Sequence, residues 1–294
     1  MIVTKIFGGL GNQMFQYAAG KALALATGSR LKLDISSFGN YALHNGYELE
    51  IFHIDAEIAK PEDISMLAGS QSRISQFIRR RLRLTKSSHI IEAGKAIGPR
   101  FFQINNPAYL DGYWQSHEYL EPFESEISRD FTFKEALVGR NRETADHIAH
   151  SNAVSVHIRR GDYVNNQIFA KVHGFVGIDY YSRAIHRIRE EVVSPTFFIF
   201  SDDIDWAIAN LGLGEDAVFI SHNTGKFSFE DMRLMSMCCH NIIANSSFSW
   251  WGAWLNNYNS KIIIAPRHWF ADRSVVVDYD KFLEHLIPCS WLLV

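Results

Sequence analysis

The sequence predicts two α/β lobes, each built on a parallel sheet. Three observations lead there. The chain opens strand, glycine loop, helix, strand, which is a βαβ unit. From residue 153 onward, short apolar strands alternate with helical stretches, the pattern of a doubly wound sheet covered on both faces. Polar residues of that second half gather directly after the strands, where an open parallel sheet binds its ligands.

Residues 2–7 read as a strand, followed by Gly8-Gly9-Leu10-Gly11. Residues 12–27 read as a helix ended by Gly28, and residues 30–34 as the next strand. The stretch 36–150 is less regular, with a helix after Pro61, a strand near 109–114 and helical segments after Pro122 and Val138. Beyond it come strand 153–158, helix 179–192, strand 196–200, helix 205–211 and strand 217–220. Helix 228–239, strand 242–244, helix 249–256 and strand 261–265, stopped by Pro266, complete the series. The lobes are accordingly placed at 1–150 and 151–294.

Composition narrows the function classes. Of 294 residues 47% are hydrophobic and 21% charged, enough apolar material for substantial cores. The net charge of −3 does not suggest a nucleic-acid partner. Six basic residues, Arg73, Arg79, Arg80, Arg81, Arg83 and Lys86, fall at 73–86 without an acid among them. Interleaved with Ile74, Phe77, Ile78 and Leu82, they read either as a solvated helix face or as a peripheral contact with an anionic membrane. Three cysteines with no paired spacing imply no disulfide framework and suit a reducing cytoplasm. No apolar run approaches about 18 residues, the length of a membrane span.

The chemistry gathers at three strand ends of the second lobe. The first strand delivers His157, Arg159, Arg160 and Asp162; the second delivers Ser201, Asp202 and Asp203; the fourth delivers Asn245, Ser246 and Ser247 at the mouth of a helix that begins with Phe248. Arginine's planar fork binds phosphate oxygens bidentately and stays charged at any working pH. Neighbouring side chains on an extended strand face opposite ways, so Arg159 and Arg160 take different roles. Arg159 and His157 share one face and are assigned to a diphosphate and its nucleoside; Arg160 is assigned to Asp162 as a brace for the turn at Gly161. Asp202 is a candidate for base or ribose recognition. Asn245, Ser246, Ser247 and Phe248 offer hydroxyls and helix-mouth amides, either as an anion site or as a plain serine cap.

Two further signals stay open. Asp203-Ile204-Asp205 matches a D-x-D metal pattern, but either carboxylate also suits a helix N-cap. Gly9, Gly11, Asn12 and Gln13 lie between strand and helix, with Asp34 ending the second strand, close to a dinucleotide fingerprint. An NAD(P)-dependent oxidoreductase is therefore one alternative, weakened by Met14 where the third glycine belongs. A non-catalytic glycan-binding module is another, suggested by the seven tryptophans. Trp250 and Trp254, four apart on one helix face, read at least in part as core.

Gly8-Gly9-Leu10-Gly11-Asn12-Gln13-Met14-Phe15-Gln16-Tyr17, His157-Ile158-Arg159-Arg160-Gly161-Asp162-Tyr163 and Asn245-Ser246-Ser247-Phe248-Ser249-Trp250-Trp251-Gly252-Ala253 together resemble the α-1,2-fucosyltransferases of glycosyltransferase family 11. Gly112-Tyr113-Trp114-Gln115 and Ala265-Pro266-Arg267-His268-Trp269 extend the resemblance over nearly the whole chain. It implies a GT-B-like pair of Rossmann-type lobes with the donor cleft between them and the acceptor on the first lobe. It further implies inverting transfer from GDP-fucose, without metal or other cofactor, to the 2-hydroxyl of a terminal β-galactoside, in bacteria within an O-antigen or other surface glycan. The chain resembles the bacterial soluble type, expected in the cytoplasm or peripherally at the inner membrane face, with the acceptor glycan either free or lipid-linked. By motif, Arg159 is similar to the arginine that binds the β-phosphate, His157 to the histidine beside the nucleotide, and Asn12 to the glycine-loop asparagine near the phosphate–fucose bond. No motif position identifies a catalytic base.

Overall fold

The computed structural model describes residues 1–40, 45–69, 86–92, 98–161, 167–172 and 174–294. They form two compact units, Met1–Glu135 and Ala136–Val294.

In the first unit, β1 (Ile2–Lys5), β2 (Leu31–Asp34), β3 (Glu57–Ile58), β4 (His89–Ile91) and β5 (Ala108–Asp111) form a sheet in the order β3-β2-β1-β5-β4. Every neighbouring pair is parallel. Ile2, Val3 and Thr4 of the central strand are fully buried, where β-branched residues pack best. α1 (Leu10–Ala26) makes the crossover from β1 to β2, and Met14, Phe15, Tyr17, Ala18, Ala19 and Ala22 are all buried on it. Helices apolar on most of their circumference are buried helices. The close helix–sheet approach absent at Met14 occurs instead at Gly20, where an added Cβ would lie 2.1 Å from Thr4 Oγ1. α2 (Pro61–Ala68) and α3 (Glu124–Asp130) complete the layer. Asp130 on α3 accepts from the Tyr17 hydroxyl at 2.6 Å and from Lys21 at 2.9 Å, tying α3 to α1.

In the second unit, β6 (Asn152–Ile158), β7 (Pro195–Ser201), β8 (Ala217–Ile220), β9 (His240–Ile242), β10 (Ile263–Ala265) and β11 (Leu292–Leu293) form a second parallel sheet. Its order is β11-β10-β9-β6-β7-β8, the doubly wound arrangement of a dinucleotide-binding lobe. The helices are α4 (Gly139–Ala149), α5 (Gln167–Val172), α6 (Ile178–Glu191), α7 (Ile204–Asn210), α8 (Phe229–Met237), α9 (Ser247–Trp254) and α10 (Tyr279–Leu286). α6 shows how pattern sets packing: Tyr180, Tyr181, Ala184, Ile185 and Ile188 lie on one face and join the core beneath β6 and β9.

The sequence puts the lobe boundary after residue 150, whereas the units divide between Glu135 and Ala136. α4 accounts for the difference, since it packs within the second unit: the His147 ring lies 5.1 Å from Phe198, and Asn141 donates to Asn223 at 2.9 Å.

Strand order fixes where ligands belong. In each sheet the chain builds outward on one side of a central strand and then returns to the other side. The crevice at such a reversal lies beyond the carboxyl ends of β1 and β5 in one unit, and of β6 and β9 in the other.

Candidate active site

The second crevice collects the charged motif. Ile158 pairs with Ser201 across the β6–β7 ladder, so Arg159 and Asp202 leave the sheet side by side. Arg159 Nη1 lies 3.0 Å from Asp202 Oδ2, and the Arg160 amide donates to Asp202 Oδ1 at 2.8 Å. Both Asp202 oxygens are thus engaged by the arginine segment. In this structure its carboxylate orients Arg159.

Arg160 takes a different direction, as strand alternation predicts. It pairs with Asp203, and its guanidinium lies 5.7 Å from the Phe175 ring and 5.2 Å from the Trp206 ring. The predicted partner, Asp162, lies outside the described residues, and the carboxylate that Arg160 meets in the structure is Asp203. Asp203 also caps α7, accepting from the Trp206 amide at 3.2 Å. The D-x-D segment therefore serves as brace and cap. Among the described residues no cluster of three or more His, Cys, Asp or Glu could hold a metal ion.

His157 ends β6 with 6% exposure, its ring 5.7 Å from Phe248. Burial drives its pKa down to about 4; Asp202 opposes the shift, and Arg159 adds to it. The imidazole is neutral at working pH. Its buried Nδ1 has no hydrogen-bond partner among the described residues.

β9 supplies the other wall. Ser246 caps α9, its hydroxyl accepting from the Phe248 amide at 3.3 Å. Ser247 and Phe248 lie in the first turn, the positive end of the helix dipole, at the same sheet edge as Arg159. Asn245 Nδ2 donates to the Gly174 carbonyl at 3.1 Å and the Trp269 carbonyl at 3.0 Å with the residue 2% exposed, so it ties two loops together. Trp250 is core, donating to the Leu286 carbonyl at 2.9 Å and stacking on Trp254. A cavity of about 300 Å³ opens beside Asn245, lined also by Phe175, Asp179, Arg183 and Arg267. Neither arginine is among the site residues read from the sequence; the signal for Arg267 was its place in the motif Ala265-Pro266-Arg267-His268-Trp269 at the end of β10.

The glycine loop belongs to the first unit. Gly9 caps α1 in an extended conformation, and Gly11 is buried in the first turn. Gln13 is fully buried, donating to the Gly8 carbonyl at 2.9 Å and the Gly46 carbonyl at 2.8 Å while accepting from the Glu48 amide at 2.9 Å. Its amide is engaged within the fold at both ends. Asn12 Oδ1 accepts from Gln115 Nε2 at 2.8 Å. Asp34 is held through both oxygens, by the Tyr109 hydroxyl at 2.6 Å and the Ser36 amide at 2.9 Å. The ribose contact required by the oxidoreductase alternative is already occupied.

Residues 1–285 match the model of Glycosyl transferase family 11. The chain belongs to that family. As a family 11 member it is a glycosyltransferase, which sets aside the non-catalytic glycan-binding alternative. It is 37% identical over 288 residues, 97% of each chain, to an α-1,2-colitosyltransferase of Escherichia coli. It is 34% identical to the O-antigen biosynthesis glycosyltransferase WbnK of the same organism, over 90% of this chain and 93% of that one. Similarity to the mouse galactoside 2-α-L-fucosyltransferase Sec1 is 25% over 87% of this chain and 64% of that protein. Among solved structures, NodZ α-1,6-fucosyltransferase co-crystallised with GDP aligns with a TM-score of 0.52 at 14% identity, over 85% of this chain and 90% of that one. That likeness shows the fold, a GT-B-like pair of parallel-sheet α/β units. No helix among the described residues is long and apolar enough to cross a membrane.

Proposed function

We propose that this glycosyltransferase moves L-fucose from GDP-fucose to the 2-hydroxyl of a terminal β-galactoside, with inversion and without a metal ion. The observation that carries the reading is Arg159, oriented by Asp202 beside the first turn of α9 at the crevice of a dinucleotide-type sheet. Such a site matches a diphosphate: a bidentate cation and helix-mouth amides on one edge.

When the bond between fucose C1 and the β-phosphate oxygen breaks, negative charge grows on that phosphate. Arg159 and the α9 amides stabilise it without reorganising, because both are fixed before the reaction. His157 meets the nucleotide as a neutral hydrogen-bonding group. Burial, which favours its neutral form, makes it a weaker base than a free histidine. By resemblance, Asn12 also stabilises the departing phosphate, an assignment that Asn12→Ala tests through turnover.

The colitosyltransferase relative gives a specific reason for a second donor, GDP-colitose. Colitose is L-fucose without its 3-hydroxyl. A site that hydrogen-bonds that hydroxyl rejects the deoxy sugar strongly; an apolar one does not. The decisive assay offers GDP-fucose and GDP-colitose separately with lactose, with and without chelator, and follows free GDP and the glycosylated product. Fucosyllactose formation insensitive to chelator is the expected result. Transfer favouring colitose replaces the donor; chelator-sensitive transfer overturns the metal-free mechanism.

A further inference from the structure

The first unit carries a crevice of its own at the carboxyl ends of β1 and β5, and its lining differs from that of the second. Phe7 follows β1 and Tyr113 follows β5, with ring centroids 4.9 Å apart. Tyr113 is 48% exposed and rests on the half-buried Phe7 beside the glycine loop, which leaves ring surface of Tyr113 within reach of a ligand.

A carboxylate is fixed next to it. Glu92 immediately follows β4, and its Oε2 accepts from the Tyr113 amide at 2.6 Å and the Trp114 amide at 3.0 Å. Its Oε1 has no hydrogen-bond partner among the described residues. Gly112 makes this possible, since an added Cβ there would stand 2.3 Å from Glu92 Cβ. The two amides also hold Trp114 in the left-handed region at φ 56°, a costly conformation for a bulky residue, which aims the turn. Burial pushes the Glu92 carboxyl up, and the Trp114 and Tyr113 amides pull it back. The Gln115 and Asn12 amides, joined at 2.8 Å, lie on the same edge.

An exposed tyrosine ring backed by a half-buried phenylalanine, beside a carboxylate oxygen and two side-chain amides, suits a neutral, hydroxyl-rich ring with one apolar face. A β-galactopyranoside is such a ring: its axial 4-hydroxyl leaves the C–H groups of carbons 3, 4 and 5 together on one face. We infer that Phe7, Tyr113 and Glu92 form the binding platform for the acceptor sugar, the rings stacking on its apolar face and Glu92 Oε1 accepting from one of its hydroxyls. This rests on the galactoside-acceptor reading above and gives that acceptor a location.

The test uses the full chain with GDP present and measures methyl β-D-galactoside binding by ligand-observed NMR, alongside lactose KM in the transfer assay. Tyr113→Ala is expected to weaken galactoside binding about tenfold or more, with Tyr113→Phe close to wild type. Glu92→Gln keeps an oxygen for the two amides while placing a donor where the hydroxyl needs an acceptor, and is expected to raise lactose KM at least about tenfold. GDP affinity and melting temperature stay unchanged in all three. Galactoside binding by Tyr113→Ala and Glu92→Gln equal to wild type overturns the platform. So does parallel loss of GDP affinity or of melting temperature in both, which marks a purely structural role. If the wild-type protein binds the galactoside through Tyr113 but transfers neither sugar, the platform stands and the proposed reaction fails.

Discussion

The two crevices occupy equivalent places in their sheets and carry opposite chemistry. Beyond β6 and β9 lie a guanidinium, its orienting carboxylate, a dry neutral imidazole and a helix mouth. At the ends of β1 and β5 lie two rings, a carboxylate and paired amides, together with the Lys5–Asp111 ion pair at 3.0 Å, whose charges offset each other. Topology alone decides that something binds at each place. Side chains decide what: charge for a diphosphate, rings and hydrogen bonds for a neutral sugar.

The largest expected effect falls on the charged crevice. Arg159→Ala should lower turnover by about 10²–10³-fold with an unchanged melting temperature, because it removes a main stabiliser of the leaving phosphate. Near-normal transfer by this variant would erase the contrast between the crevices. Asp202→Asn sharpens it: the Arg160 amide keeps its acceptor while Arg159 loses its ionic anchor. Turnover should fall about ten- to a hundredfold through misplacement, partly rescued in Asp202→Glu. Equal activity in Asp202→Asn and wild type would return Asp202 to the unassigned residues.

Next in size is a change of stability without a change of affinity. Gln13→Ala leaves the Gly8 and Gly46 carbonyls and the Glu48 amide without their present partner, which should cost about 2 kcal/mol. Donor affinity measured on the folded variant should match wild type; a drop confined to GDP binding would restore Gln13 to the donor site.

The smallest effect is in pH. The folded pKa of His157 lies below its ordinary value of 6.5, so the unfolded chain binds the proton first as pH falls. The stability of the neutral burial is fully present above pH 6.5 and is lost progressively between there and about pH 4. His157→Gln should flatten the melting-temperature profile across that window. An identical slope in both proteins would show that His157 is not dry.

Much of this was legible in the residues. The strand at 217–220 coincides with β8, and helix 179–192 lies within one residue of α6 at each end, because hydrophobic periodicity there is unambiguous. β3 and β4 were invisible: they have two and three residues, and Ile58 and Ile91 are exposed. The gathering of His157, Arg159 and Asp202 was legible from strand ends alone. The true partners of Gln13, Asn245 and Arg160 were not. Each amide or guanidinium is claimed by groups distant in sequence, Gly46, Trp269 and Asp203, whose approach is set by packing and leaves no local pattern.

β6 is paired along its length with β7 and over Val154–Val156 with β9. Interior strands of this kind open only with the whole domain, so their amides exchange with solvent most slowly. Arg159 is anchored to the last part of the unit to unfold. Local breathing that lets a substrate in or a product out can therefore proceed in the loops while the phosphate grip holds its place, and amide exchange at Val156 and Ile158 should be as slow in the free protein as in the GDP-bound one.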